Sequence, residues 1–393
     1  MISLPRHIMR LQKYADKPLL GTMAILTVIS FAAAFSTSSN LVNTYRQHDP
    51  YYYLMKHMLL IIIATAIFLF TTTIPYRLYQ KYRYVIMGGV MLLLLYTDLF
   101  GQAAGHEGAR RWIRLGILSI QPSIIALTLS LVFTAAFLDK QMKQNTTFTE
   151  DLKSYWLWLL ALTGLVVIYN NSTAVLIFAL NMMLLFLGGY AFKKLWFAFL
   201  MSLALLFVYF LAAKAFPQYI PNRIDTAIKR VKRFVDEEEN PAKNQLDIQP
   251  LRAKIAIASG KLIRFAPGKS VQKNLLSQSS SDFIYAILIE EYGLIFGGFM
   301  VLLLYFILAF RILGISRMSR EFFQKVLVIA VGLPIIFQAL INMSVSAGLI
   351  PVTGQPLPIL SAGGTTLFMT AFALGVVIQV SMQIRKNQDE QAA

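Results

Sequence analysis

The sequence predicts an all-α integral membrane protein with about ten transmembrane helices and a long extracytoplasmic loop, containing short helices, between the seventh and eighth. Three observations predict it. The 393-residue chain is 57% hydrophobic with a mean hydropathy of +0.60, and only 14% of it is charged, whereas soluble domains carry about a quarter. Its apolar residues gather into runs of about 18 to 25, the length that crosses a bilayer. Backbone groups in lipid must be satisfied internally, which leaves helices or closed barrels, and runs this long and continuous are helices.

In chain order, a basic stretch over 1–18 (Arg6, Arg10, Lys13, Lys17) leads straight into the first span, with no cleavable signal expected. Runs at 19–37, 54–75, 82–100, 120–138, 154–170, 173–191 and 195–216 supply the spans of segment 19–216. The long loop is 217–281. Runs at 282–313, 324–346 and 364–383 fill segment 282–383, before a tail at 384–393. The whole of 1–393 reads as one polytopic domain without internal repeats. Lysine and arginine gather at 6–17, 77–83, 140–153, 193–194, 311–325 and 385–386. These are alternate loops and both ends, so the positive-inside rule places both termini in the cytoplasm.

The formal net charge of +17 points to anionic partners. Charge clusters between spans favour membrane phospholipids or a phosphorylated lipid substrate and argue against nucleic acid. The absence of cysteine excludes disulfides, thiolate chemistry and Cys-ligated metal. His7, His48, His57 and His106 lack zinc spacing, and 268–272 (GKSVQ) lacks the spacing of a nucleotide loop.

Two segments on the outer side stand apart. Residues 101–119, GQAAGHEGARRWIRLGILS, carry Arg110, Arg111 and Arg114 in a short loop where the charge rule disfavours them. Headgroup anchoring, with Trp112 at the interface, is the plain explanation. A phosphate site is the sharper one, because arginine is the preferred bidentate phosphate partner. The loop 217–281 holds twelve Lys/Arg against six Asp/Glu. Within it, 223–235 (RIDTAIKRVKRFV) predicts a basic amphipathic helix on the membrane surface. The acidic run Asp236–Glu239 follows, and 249–260 (QPLRAKIAIASG) predicts a second short helix carrying Lys254.

Residues 281–293, SDFIYAILIEEYG, put Asp282 where the basic loop gives way to an apolar run, with Glu290 and Glu291 inside it. Acids in or beside a span are costly and mark functional sites. Asp282 follows serines at a helix start, so capping is the alternative to chemistry. Glu290 falls about 12 Å further along and about 80° round the helix, which allows either a substrate cavity or structural pairing. Glu291 points nearly opposite Asp282 and suits a structural partner.

Four pieces occur in order. They are Gly108–Ile113 with Gln121–Pro122–Ser123; Lys254–Ile257 with Ser259–Gly260; Asp282–Ala286 with Glu290–Gly293; and Asn342, Gly348, Pro351, Gly354, Pro358 and Ser361–Gly364. Together they resemble the SEDS family, the FtsW/RodA/SpoVE peptidoglycan polymerases, over nearly the whole chain. The phrases SDFIYAILIEEYGLI and LIPVTGQPLPILS are most similar to the division-type branch, FtsW of Bacteroidota. The resemblance implies a glycosyltransferase that polymerises lipid II into glycan strands at the outer face of the cytoplasmic (inner) membrane during septal wall synthesis. It implies a class B penicillin-binding protein transpeptidase of the FtsI type and other division-complex membrane proteins as partners. The family's essential acid falls on Asp282.

Sugar transfer from a pyrophosphate needs a base at the acceptor and positive charge at the leaving group. Asp282 is the candidate base, and Arg110, Arg111 and Lys254 are the candidate cations. Trp112, Glu290, Ser361, Gly363 and Gly364 are further candidate substrate contacts, although the two glycines also suit close helix packing. A divalent cation, Mg²⁺ or Mn²⁺, could share the leaving-group charge with Asp282 as its ligand; base and ligand roles both stay open. The chain departs from the family at Ile124, Leu127 and Asn170, where ionisable residues are usual. Their loss argues against a competing lipid II flippase, which needs a charged route. A non-catalytic scaffold of the division complex is the third expectation.

Overall fold

In a computed structural model of the chain, the described residues are 4–45, 50–103, 110–116, 118–144, 146–168, 170–215, 232, 248–276 and 281–392. The surface helix expected over 223–235 lies outside them, apart from Lys232, as do Gly108 and Ala109. The chain runs α1 (Leu4–Tyr14), α2 (Lys17–Tyr45), α3 (Pro50–Thr73), α4 (Arg77–Lys81) and α5 (Arg83–Phe100). Short strands β1 (Gln102–Ala103), β2 (Arg110–Leu115) and β3 (Leu118–Ile120) follow. Then come α6 (Pro122–Lys143), α7 (Phe148–Asp151), α8 (Leu157–Val167), α9 (Asn171–Leu187), α10 (Phe192–Ala215), α11 (Ile248–Ser259) and α12 (Ile284–Gly293). The last helices are α13 (Met300–Met318), α14 (Phe322–Ser346) and α15 (Gly364–Ala392).

Among the described residues, 8 helices are long and apolar enough to cross a membrane, with Ile284–Met318 counted as one. The runs expected at 154–170 and 173–191 correspond to α8, preceded by a π-helical turn at Leu152–Trp156, and to the shorter apolar α9.

Two compact units make up the chain: Met1–Thr73, Arg230–Gly314 and Ile335–Ala393 form the first, and Ile74–Lys229 with Ile315–Pro334 the second. In the first, α3 packs along α2 and α15. A β-carbon at Gly375 would stand 2.8 Å from Thr71 Cβ and 3.0 Å from the Phe68 carbonyl, so α15 and α3 approach at backbone distance. Asp16 caps α2 by accepting from the Leu19 amide at 3.0 Å. Its carboxylate also takes Arg311 Nε at 3.0 Å and Arg385 Nη2 at 2.9 Å, which gathers the ends of three helices. Burial pushes this carboxyl up, but the Arg311 and Leu19 hydrogen bonds and the charges of Arg311 and Arg385 outweigh it and hold it below the usual aspartate value.

In the second unit, α6 is buried along most of its length and packs on α5 and α9. Its polar residues are paired internally: Asn181 donates to Ser130 Oγ at 3.0 Å, and Thr134 contacts Asn181 Oδ1 and Tyr155 at 2.5 and 2.8 Å. Ile124 and Leu127 are buried apolar side chains here, and Asn170 caps α9 by accepting from the Thr173 amide at 3.3 Å. The positions where the family usually carries charge are thus filled by packing and a neutral cap.

A small antiparallel sheet, in the order β1-β2-β3, orders the segment that the sequence marks only as a short loop over 101–119. Ile113 pairs with Ile120, Arg114 with Ser119 and Leu115 with Leu118. Gly116, at φ 60°, opens the reversal between β2 and β3, a backbone region glycine enters without steric cost.

Candidate functional site

The site rests on a small apolar core in the first unit. Ala253 and Ala256 of α11 pack with Leu276, Phe283, Ala286, Ile287 and Val345, while Ile350 and Val352 of the following loop lie against them. Alanines let α11 and α12 approach closely. Gly260 completes the approach, because a β-carbon there would meet the Ile289 carbonyl at 2.4 Å. The core therefore binds three pieces that are distant in sequence: the Lys254 helix, the Asp282 helix start and the loop 347–363.

Asp282 is half-buried immediately before Phe283, which is wholly buried in that core. Two side chains fix the backbone around it. Asn342 on α14 donates from Nδ2 to the Asp282 carbonyl at 3.0 Å and the Gln355 carbonyl at 2.8 Å. Ser361 donates to the Ser281 carbonyl at 2.7 Å and accepts from the Leu357 amide at 2.8 Å. Gly354, at φ 71°, passes beside the carboxylate; a β-carbon there would lie 3.8 Å from Asp282 Oδ2. The α12 N-cap is Phe283, whose side chain makes no capping hydrogen bond. Ser361 thus acts on the Ser281 carbonyl, and Gly364 packs on Leu60, with a β-carbon 3.1 Å from the leucine. Gly363 lies nearer the loop, beside Thr366 and Pro356.

Lys254 is exposed and reaches the same loop at Gly348. A β-carbon on Gly348 would come within 2.1 Å of Lys254 Cε and 3.0 Å of Nζ. One loop, 347–363, therefore meets the candidate cation at one glycine and the candidate acid at another.

Glu290 and Glu291 are buried and face the segment 260–276. Glu290 accepts from the Val271 amide at 3.0 Å and from the Ser270 hydroxyl. Glu291 accepts from the Ser270 amide at 3.2 Å and from the Ser36 hydroxyl on α2. Successive amides aimed at the carboxylates replace much of the lost hydration. Lys273, also buried, donates to the Ser36 carbonyl at 3.0 Å and the Gly268 carbonyl at 2.6 Å. Burial lowers the proton affinity of its ammonium, which the adjacent Glu291 and Glu290 only partly restore. Glu290 is thus paired with the loop. Nothing in the sequence ties Ser270, within the rejected GKSVQ stretch, or Lys273 to acids about twenty residues away.

Just after these acids the helix breaks. Gly293 has φ 80° and ψ 172°, and a β-carbon there would meet the Arg264 amide at 2.7 Å. The freed amides of Leu294 and Ile295 donate to the carbonyls of Lys261 and Leu262 at 3.0 and 3.1 Å. The segment 260–276 is therefore fastened along the C-terminal end of the α12 helix.

Arg110, Arg111 and Trp112 belong to β2 in the second unit, with Trp112 paired to Gln102; Arg111 and Trp112 are half-buried and Arg114 is exposed. Among the described residues no group of three His, Cys, Asp or Glu could hold a metal. The single carboxylate of Asp282 fits Mg²⁺ or Mn²⁺ only if phosphate oxygens and water complete the shell, which is the usual manner for Mg²⁺.

A profile of the FtsW, RodA and SpoVE proteins, described as "Cell cycle protein", matches residues 17–386. A "Probable peptidoglycan glycosyltransferase FtsW" of Geobacter metallireducens is 26% identical over 381 residues, covering 96% of this chain and 97% of its own. The FtsW of Nitrosococcus halophilus, described in the same words, is 30% identical over 381 residues, covering 94% and 93%. Among solved structures, a chain of a peptidoglycan synthase complex concerned with polymerization and crosslinking aligns with a TM-score of 0.67 at 20% identity, covering 94% of this chain and 98% of that one. The rod shape determining protein RodA of Thermus thermophilus aligns at 0.65 and 20%, covering 93% and 96%. The two structures share the fold.

Proposed function

The chain belongs to the FtsW/RodA/SpoVE family of cell cycle proteins, and from that membership we propose both its reaction and the residues that carry it. It is a multi-pass membrane peptidoglycan glycosyltransferase of cell division. Its substrate is lipid II. An acceptor hydroxyl attacks the anomeric carbon of the donor sugar, the bond to the lipid pyrophosphate breaks, and the glycan grows by one unit.

Asp282 takes the proton from the attacking hydroxyl. Lys254 faces the departing pyrophosphate across Gly348, where its charge offsets the charge that develops there. Arg110 and Arg111 are further phosphate partners, and Trp112 sits with them at the membrane interface. Mg²⁺ or Mn²⁺, when bound through Asp282 and the pyrophosphate, would supply the same neutralisation. A transpeptidase of the class B penicillin-binding type is the partner that crosslinks the product. Both termini lie in the cytoplasm, and the site acts on the outer face at the septum.

The observation that carries the role of Asp282 is the fixing of its backbone by Asn342 and Ser361 beside Gly354. A carboxylate whose backbone is held this firmly from two elements is preorganised for one position of a reacting atom. Purified protein with its transpeptidase and lipid II should form glycan strands, and Asp282→Ala should form them at least about 100-fold more slowly. Normal strand formation by that variant would sink the assignment.

A further inference from the structure

The segment between Lys254 and Asp282 contributes to a buried polar cluster. Lys273 stands at its centre, bonded to the Ser36 and Gly268 carbonyls. Glu290 and Glu291 face it, and the Ser270 hydroxyl links Glu290 to the Lys273 amide, which donates to it at 3.0 Å. Two carboxylates and an ammonium are costly to bury, and apolar residues of similar shape would be at least as stabilising. The cluster's chemistry therefore calls for an explanation beyond stability.

Its position supplies one. The cluster fastens residues 268–273 to the C-terminal half of α12 and to α2. The Lys261 and Leu262 carbonyls fasten the preceding stretch to the break at Gly293. On one side this segment continues back into α11 and Lys254; on the other it runs to Leu276, in the core with Phe283, and on toward Asp282. Residues 260–276 thus connect the proposed leaving-group cation to the proposed base.

We propose that Lys273 is a positioning residue for glycosyl transfer: its hydrogen bonds to the Ser36 and Gly268 carbonyls, with the Ser36 hydroxyl on Glu291 and the Ser270 hydroxyl on Glu290 beside them, form a clasp that sets Lys254 against Asp282. The proposal rests on the glycosyltransferase reading and adds to it a residue that touches no substrate. Misplacing a reacting group by an ångström costs about 100-fold in rate. Loosening the clasp therefore lowers kcat far more than it raises KM for lipid II.

The test compares Lys273→Met, Lys273→Arg and Ser36→Ala with the wild type in the full chain with its transpeptidase. Expected are a fall in kcat of about 10- to 100-fold for Lys273→Met, a KM within about threefold, and recovery of most of kcat in Lys273→Arg, which keeps the charge. Ser36→Ala removes one clasp hydrogen bond without unbalancing charge, and covers the case in which Lys273→Met does not fold; it should lower kcat about threefold or more. A normal kcat in a folded Lys273→Met, or in Ser36→Ala when the former cannot be made, overturns the proposal.

A second readout is independent of turnover. The chain has no cysteine, so spin labels at Leu251→Cys and Leu349→Cys, both exposed positions, report the spacing of α11 and the loop 347–363. Their distance distribution should broaden on adding Lys273→Met. An unchanged distribution with a lowered kcat overturns the positioning role. A wild type that forms no strands overturns the glycosyltransferase reading instead, and the label distances tell the two failures apart.

Discussion

Lys254 lies across Gly348 so closely that a β-carbon on the glycine would stand 2.1 Å from the lysine Cε. The glycine also has φ 72°, which an alanine adopts only with strain. Gly348→Ala should cost about 1 kcal/mol in the backbone and push the lysine off the loop. If the lysine serves the leaving group, Gly348→Ala and Lys254→Ala should each slow strand formation, and the double variant should be little worse than Lys254→Ala. Additive losses would separate the glycine from the lysine.

Removing the proposed base should slow strand formation by about 10²- to 10⁴-fold. Asp282→Asn, which keeps the shape, should be about as inactive as Asp282→Ala. Thermal unfolding in detergent should show both variants folded. An Asp282→Asn protein retaining most activity would reduce the side chain to a hydrogen-bonding group.

Asn342→Ala leaves the Asp282 and Gln355 carbonyls without their shared donor, at about 1–3 kcal/mol. The Asp282 backbone then loses one of its two restraints. We expect lower stability together with a kcat about tenfold lower, measured by calorimetry and by strand yield. Equal activity per folded molecule would make Asn342 purely structural.

Asp16 should make stability depend on pH at the acid end. Its folded value is depressed below the ordinary 3.8, so the folded state favours the ionised form. Its contribution is fully present above the unfolded value and is lost as pH falls through the lower folded one. Asp16→Ala, which leaves Arg311 and Arg385 partly exposed to water, should cost about 2 kcal/mol at neutral pH. The difference from wild type should shrink below about pH 4. Unfolding curves at a series of pH values check this.

Gly293→Ala should act at a distance from Asp282. Its β-carbon would strike the Arg264 amide, and φ 80° adds strain. The combined cost should exceed about 1 kcal/mol. Hydrogen exchange should quicken at Leu294 and Ile295, whose amides serve the Lys261 and Leu262 carbonyls.

The spans could be read from apolar length because lipid leaves a helix no other option. Asp282 stood out because an acid at an apolar boundary leaves a local trace, and the glycines of the last loop because they belong to a spaced pattern. The strands over 102–120 could not, because three arginines within one six-residue stretch carry neither a helical nor an alternating pattern. Structural pairing of Glu290 and Glu291 was among the expectations, but their partners could not be read, since the donors come from Ser36 and from a loop some twenty residues earlier. Asn342 was visible as part of a pattern, but not as the side chain that holds the Asp282 carbonyl. Gly293 gave no warning of a break, since hydropathy continues unbroken through it.

That break also turns α12 into a spacer. The run Ile284–Met318 is 35 residues, about 52 Å as an unbroken helix, well beyond the roughly 30 Å of hydrocarbon it must cross. From Leu294 onward the chain is long enough to span alone, which frees the preceding ten residues to act as a rod of fixed height and phase. One residue inserted there would swing Asp282 by about 100° about the helix axis. Three or four would restore the direction but raise the carboxylate by about one 5.4 Å turn. The reaction centre is therefore set by a count of residues as much as by their chemistry.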